Sequence, residues 1–273
     1  MANIAGKSGD VYIATLLLED CEDAWESGAN GTAALNTDRT YIAVGDGSSK
    51  CTIGAGISAG DVIMFETMAE AKDISTFSHI LCWAYSVPTT LAADYRIGIG
   101  TTASGASPTT LVDLPALTAN TLTYCHCTEV TGSEMADTSA GTIIGLESHA
   151  NGANADVIYI DEVRAAKIIA GINAWSLDYT QDALETTDFQ SAGIKSYIAG
   201  GSGWSGTFSG YKDGAPLSIG SLYGVEFAES STATQMWLGE AIITGVHPSI
   251  SYDGVVAYSY DFQGSGALRI ASA

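Results

Sequence analysis

Lysine and arginine are scarce in this chain: 10 residues of 273, against 31 Asp and Glu, for a formal net charge of −21 at pH 7. The acids are spread along the whole length rather than gathered in a tail. Such a surface repels phosphate, which excludes tight binding of nucleic acid but suits a surface past which nucleic acid must slide without sticking. Long apolar runs are missing too. None approaches the roughly 18 residues of a membrane span, so no membrane insertion is expected. The opening "MANIAGKSGD" has no basic stretch followed by an apolar core, and the expectation is a chain made and retained in a cytoplasm. Five cysteines, Cys21, Cys51, Cys82, Cys125 and Cys127, form no even framework, in keeping with a reducing compartment. Helical periodicity is also absent, because Gly, Ser or Thr interrupts nearly every apolar run.

Enzyme signatures are lacking as well. There is no G-x-S-x-G elbow, no H-E-x-x-H and no P-loop, and "GIGTTASG" has no following helix to hold a phosphate. With 31 acids, a glycosidase-like carboxylate pair arises by chance. His79, His126, His149 and His247 have no triad-like context. The chain is read as a non-enzyme.

What remains is β-forming material, with 46% hydrophobic and 15% charged residues and 31 Gly. The length allows one large β domain or two of ordinary size. From about Leu16 to Val163, strand candidates stand at "TYIAVG", "DVIMFETM", "SHILCWAYSV", "DYRIGIG", "TLTYCHCTEV", "GTIIGLE" and "VIYIDEVRA", separated by turn residues. That spacing indicates an antiparallel β-sandwich. "CHC" does not read as a metal site: in an extended segment Cys125 and Cys127 point to one face and His126 to the other, so buried thiols are expected.

After Lys167 the pattern changes. "AGINAWSLDYT" alternates, with Asn173, Trp175, Leu177 and Tyr179 on one face and Ile172, Ala174, Ser176 and Asp178 on the other. Near the end, Val256, Tyr258, Tyr260 and Phe262 share a face opposite Val255, Ala257, Ser259 and Asp261. Large residues face a core; small and acidic ones face water. Asp253-Gly254 is a hairpin signal that pairs "HPSISY" with "VVAYSYDF", and "YKDGAP" offers a second Asp-Gly turn. Residues 168–273 read as a small, closed or nearly closed antiparallel sheet domain.

The strand order of the first region resembles jelly-roll sandwiches of the concanavalin-like and carbohydrate-binding-module type. The resemblance implies a fold, with Trp25, Trp83, Tyr85 and Tyr95 as candidate glycan-stacking aromatics, each competing with a place in the core. "LEDCED" and "YIDEV" are similar to the first and last strands of such jelly rolls, where acids hold a structural Ca²⁺. Glu19, Asp20 and Asp161 would supply oxygen ligands, with solvated carboxylates as the competing reading. No other cofactor is implied.

"MANIAGKSGDVYIA", "INAWSLDYTQDALETTDFQSAGIKSYIAGGSGWSGTFSG" and "MWLGEAIITGVHPSISYDGVVAYSYDFQGSGAL" together resemble the major tail protein, or tail tube protein, of long-tailed bacteriophages. The similarity covers residues 1–14 and 168–273 in the family's order, and "YSYDFQGSGAL" is its most specific part. It implies an all-β tail tube domain built from 1–14 and 168–273, with 15–167 inserted as a β-sandwich exposed on the tube exterior. The implied function is a virion structural protein, made in a host cytoplasm and resident in the tail. Hexameric rings stack into a tube through which the viral DNA passes without sticking. Implied partners are further copies of the chain, tail-tip initiator, tape-measure and terminator proteins, and host glycans for the sandwich. Ser176, Asp178, Ser259 and Asp261 are the expected channel lining. The long connection from Asp182 to Ser202, with Asp182, Glu185, Asp188, Phe189, Lys195 and Tyr197, is the expected ring-to-ring loop. The family's short helix has no counterpart in "YKDGAPLSIGSLYGVEF". The alternative is a carbohydrate-binding or adhesive module that builds no tube.

Overall fold

The computed structural model describes residues 11–102, 108–132, 135–149, 156–169, 171–187, 194–211, 214–229, 235–250, 252 and 254–272. Among them there is no α-helix, so the fold is all-β. The chain divides into two units: Met1–Ile13 with Ile168–Ala273, and Ala14–Lys167. No helix among the described residues is long and apolar enough to cross a membrane.

The Ala14–Lys167 unit opens on β1 (Val11–Glu19), which begins in the other unit, and continues through β2 (Glu26–Ser27), β3 (Gly31–Asn36), β4 (Ser48–Ile53), β5 (Asp61–Lys72) and β6 (His79–Ser86). Then come β7 (Tyr95–Gly100), β8 (Thr110–Asp113), β9 (Leu122–Glu129), β10 (Gly141–Ser148) and β11 (Val157–Ile168). One layer runs β3-β4-β11-β6-β9 and the other β8-β7-β10-β5-β2. β9 turns the corner between them, pairing Leu122–Cys127 with β6 and then Thr128 and Glu129 with β8. The period-2 alternation of these strands puts Ile80, Cys82 and Ala84 of β6 and Cys125 and Cys127 of β9 into one core with Ile97 and Ile99 of β7 and Ile144 and Leu146 of β10. Each buried aliphatic chain of this kind contributes about 1.5–3 kcal/mol. The expected sandwich is present.

One of its strand assignments is corrected. "TYIAVG" forms no strand: Arg39–Tyr41 make a 3-10 turn capped by Asp38, which accepts from the Thr40 N–H at 3.0 Å. Beyond it the buried Asp161 carboxylate accepts the N–H groups of Ala43 (2.6 Å) and Val44 (3.0 Å), which removes them from any ladder. Strands β3, β4 and β8, short and interrupted by polar residues, have no counterpart in the pattern read from the sequence.

The other unit is one antiparallel sheet. β12 (Ile172–Glu185), β13 (Tyr197–Tyr211), β14 (Leu222–Ala228), β15 (Gln235–Ser249) and β16 (Ala257–Ser272) join the start of β1 in the order β12-β13-β16-β15-β14-β1. The sheet curls strongly. In a flat sheet β14 would lie four strand spacings, roughly 19 Å, from β12. Instead Phe227 of β14 packs on Trp175 of β12 with ring centroids 5.4 Å apart, and on Phe262 of β16 at 5.0 Å. Phe208 stacks on Tyr260 at 4.8 Å inside the same curl. Val11 and Ile13 of β1 complete this core. Irregular registers at Ile172/Ala174, Leu238/Glu240 and Ile243/Gly245 supply local bends, the usual device for curving a sheet.

β15 and β16 pair from Ser249↔Ala257 onward, as the Asp-Gly signal suggests, although Asp253 lies outside the described residues, as do Lys212 and Asp213 of the second turn. Ile169 donates its N–H to the Val11 carbonyl at 3.0 Å, so the chain leaves this unit and returns to it at neighbouring points.

Candidate functional site

The face of β12, β13, β16 and β15 turned away from the aromatic core is built in rows by the ladder registers. Ala174, Ser209, Ser259 and His247 stand side by side in one row; Ser176, Thr207, Asp261 and Gly245 form the next; Asp178, Ser205, Gln263 and Ile242 form the third. Ser176, Asp178, Ser259 and Asp261 are therefore brought together on a single face, while Trp175, Leu177, Tyr260 and Phe262 on the same strands turn into the core. Ser176 and Asp178 are exposed; Ser259 and Asp261 are half-buried. The Ser176 and Thr207 hydroxyls are hydrogen-bonded at 3.1 Å. Across the three rows there is no Lys and no Arg.

Ile172 departs from the expected alternation. The irregular step between Ile172 and Ala174 turns it toward the core with Trp175 and Leu177, because its side chain is apolar and the bulge lets it follow its neighbours inward. His247, which has no triad-like context in the sequence, belongs to this face. Its Nε2 lies 2.9 Å from Asp261 Oδ2, and only the pairing of β15 with β16 reveals the juxtaposition.

Nearly half of the expected long loop from Asp182 to Ser202 is strand, at its two ends. The β12–β13 ladder continues through Ala183↔Ala199, Leu184↔Ile198 and Glu185↔Tyr197, so the connection shrinks to residues 186–196. The ladder from β13 to β16 covers only Ser205–Tyr211, so the β12–β13 hairpin runs on past it as an arm. Leu184 (52% exposed), Tyr197 (54%) and Ile198 (56%) are apolar side chains held in water on that arm. Asp182 is exposed as well. Lys195 Nζ donates to Glu185 Oε2 at 2.8 Å, and this bond, with a second from Thr187, holds the Glu185 carboxyl below its ordinary range. Asp188 and Phe189 lie outside the described residues.

The candidate stacking aromatics are all buried. Trp25 and Tyr95 sit in the sandwich core, 3% and 4% exposed. Trp83 packs edge-on against Tyr124 with centroids 5.0 Å apart. Tyr85 lies in a cluster with Tyr41 and Tyr159, in which the latter two rings stack at 4.3 Å. A ring already covered on its faces has none to offer a sugar, so in this conformation these four are packing residues.

Glu19 and Asp20 each accept a backbone N–H two residues on, from Cys21 and Glu22, both at 3.2 Å. Asp161 is occupied by the Ala43 and Val44 amides. Burial pushes Glu19 up to about 7, with Asp20, Asp23 and Glu66 adding repulsion; burial likewise pushes Asp161 up to about 7. Among the described residues no group of three His, Cys, Asp or Glu is placed to hold a metal ion. Cys125 and Cys127 face the core while His126 packs edge-on against His79 on the other side at 4.3 Å.

No family model matches the chain, and no curated protein matches it. Among solved structures it is similar to a chain in "Tail of empty GTA particle computed with helical refinement, C6 symmetry", at 18% identity and a TM-score of 0.34, over 40% of this chain and 87% of that one. It is also similar to a chain in "Virion of native gene transfer agent (GTA) particle", at 18% identity and a TM-score of 0.32, over 39% of this chain and 89% of that one. At these scores the likeness carries no weight for function, which rests on the chain's own geometry.

Proposed function

We propose that this chain is a virion structural protein, the tail tube subunit of a long-tailed bacteriophage-like particle, and that it catalyses nothing. Copies close into six-membered rings and the rings stack, with the genome passing through the bore during ejection. The observation that carries the reading is the face bearing Ser176, Asp178, Ser259 and Asp261. It is a polar sheet surface without Lys or Arg across its three rows, backed by an aromatic core. Lining a bore with small hydroxyls and carboxylates leaves a passing phosphate no free cation to hold it.

The β12–β13 arm is the proposed ring-to-ring contact. Its exposed apolar side chains have no use in the isolated subunit, and head-to-tail stacking is the heterologous arrangement that continues along an axis. The sandwich unit rides on the exterior of the tube. Its role there is decoration, and adhesion to host glycans would need residues other than Trp25, Trp83, Tyr85 and Tyr95. Assembly would involve a tail-tip initiator and the tape-measure and terminator proteins of the tail.

Negative-stain electron microscopy of the concentrated protein tests this directly. Tubes or stacked rings with outward knobs are expected. Monomers that stay dispersed even beside a tail-tip initiator would overturn the reading and leave the adhesive module in its place.

A further inference from the structure

The three rows of the proposed bore surface contain one imidazole, His247, which is a cation when protonated. A face without Lys or Arg is therefore not automatically free of cations. Two features of the fold bear on this. His247 Nε2 lies 2.9 Å from Asp261 Oδ2 on the neighbouring strand. The adjacent position on β15 is Gly245, where a Cβ would fall 2.8 Å from His247 Nε2 and 2.9 Å from Asp261 Oδ2. That glycine has an ordinary φ, so its backbone does not require it; the space it leaves is the space the pair occupies. From the other strands of the face, β13 presents only Ser209, Thr207 and Ser205, and β12 contributes Asp178 in the third row. Farther along β15 stands Glu240, paired with Ser265. Among the described residues, Asp261 is the acid hydrogen-bonded to the imidazole.

We propose that Asp261 is a positioning residue for His247: it holds the ring against its own carboxylate, so that the imidazole, when protonated, presents no free cation to a sliding polyanion. Gly245 is the gap that makes the contact possible. The inference rests on the reading of this face as the bore, and it makes the acid's role specific. Asp261 does not merely repel phosphate; it prevents His247 from attracting it.

Tails carrying variants of the full chain, with genome release triggered in vitro and followed by a DNA-binding dye at pH 6 and pH 8, test it. D261N is expected to slow release about fivefold more at pH 6 than at pH 8, the added residence of an exposed cation–phosphate contact. Asp261→Glu should keep wild-type rates, and His247→Gln added to D261N should restore them. Should D261N tails fail to assemble, Gly245→Ala, which wedges the pair apart, should slow release more at pH 6 than at pH 8. Wild-type rates in D261N or Gly245→Ala at pH 6, or slowing that persists without His247, would overturn the inference. Ser176→Lys on the same face separates the two levels. If it stalls release while D261N does not, only the role of the pair fails; if it too is without effect, the bore reading fails.

Discussion

Trp204 lies flat across Gly264: a Cβ on that glycine would sit 2.1 Å from the indole Cε2, and the indole Nε1 donates to the Gly266 carbonyl at 3.1 Å. The β13–β16 ladder ends beside this contact, at Ser205↔Gln263. Gly264→Ala should destabilise this unit by about 2–3 kcal/mol, the upper range for overpacking, and red-shift the tryptophan emission. Urea unfolding followed by fluorescence checks both.

The curl of the sheet depends on Phe227, which is fully buried and reaches Trp175, Phe208 and Phe262. Phe227→Ala should cost about 3–5 kcal/mol and loosen the closure between β14 and β12. Faster amide exchange on both strands, beyond what the fall in global stability explains, is the signature to look for.

The two acids held near 7 make the sandwich pH-sensitive in a definite direction. Their ordinary values are 4.5 for Glu19 and 3.8 for Asp161, so between about 4 and 7 the folded state binds more protons than the unfolded one. Their contribution is full below about 4 and is lost as pH rises through 7. His79, pushed down to about 4 by burial and by His126, works in the other direction and destabilises as pH falls from 6.5. Asp161→Asn keeps an acceptor for the Ala43 and Val44 amides while removing its titration. The Tm of this variant should therefore fall less than that of the native chain between pH 5 and pH 8; an unchanged dependence would remove Asp161 from this role.

All five thiols are free and buried. None should react with an aromatic disulfide reagent in the folded protein, and all five should react on unfolding, at a rate set by opening rather than by thiol acidity. Stoichiometric modification under native conditions would show that the core is more open than its packing implies.

Much of this architecture could be read from period-2 alternation: β12, β16 and β9 turn one strand face to a core and the other away from it, although β6 and β10 are buried on both. That is why Ser176, Asp178, Ser259 and Asp261 fall together, and why Cys125 and Cys127 separate from His126. Alternation fails where a partner outside the segment decides. "TYIAVG" has strand-forming residues, yet Asp161, far along the chain, captures its amides. The arm looked like a loop because Gly and Ser dilute its pattern, and only cross-strand register extends it to Glu185 and Tyr197. His247 carried no local signal, since its meaning comes from the strand beside it. The candidate glycan-stacking aromatics illustrate the converse, as aromatic residues in a sandwich serve its packing first.

The hydrogen bond from Ile169 to Val11 has a consequence for how the chain folds. Closing a flexible loop the length of the Ala14–Lys167 excursion carries an entropic penalty that grows with its length. A sandwich that has already folded, with entry and exit strands β1 and β11 paired, spans the same distance as a tight turn. During synthesis the interrupted sheet must wait with only β1 made, and the excursion acts as an internal clasp that delivers Ile169 to Val11 once complete. β14, when it is made, then finds its neighbour β1 already in place.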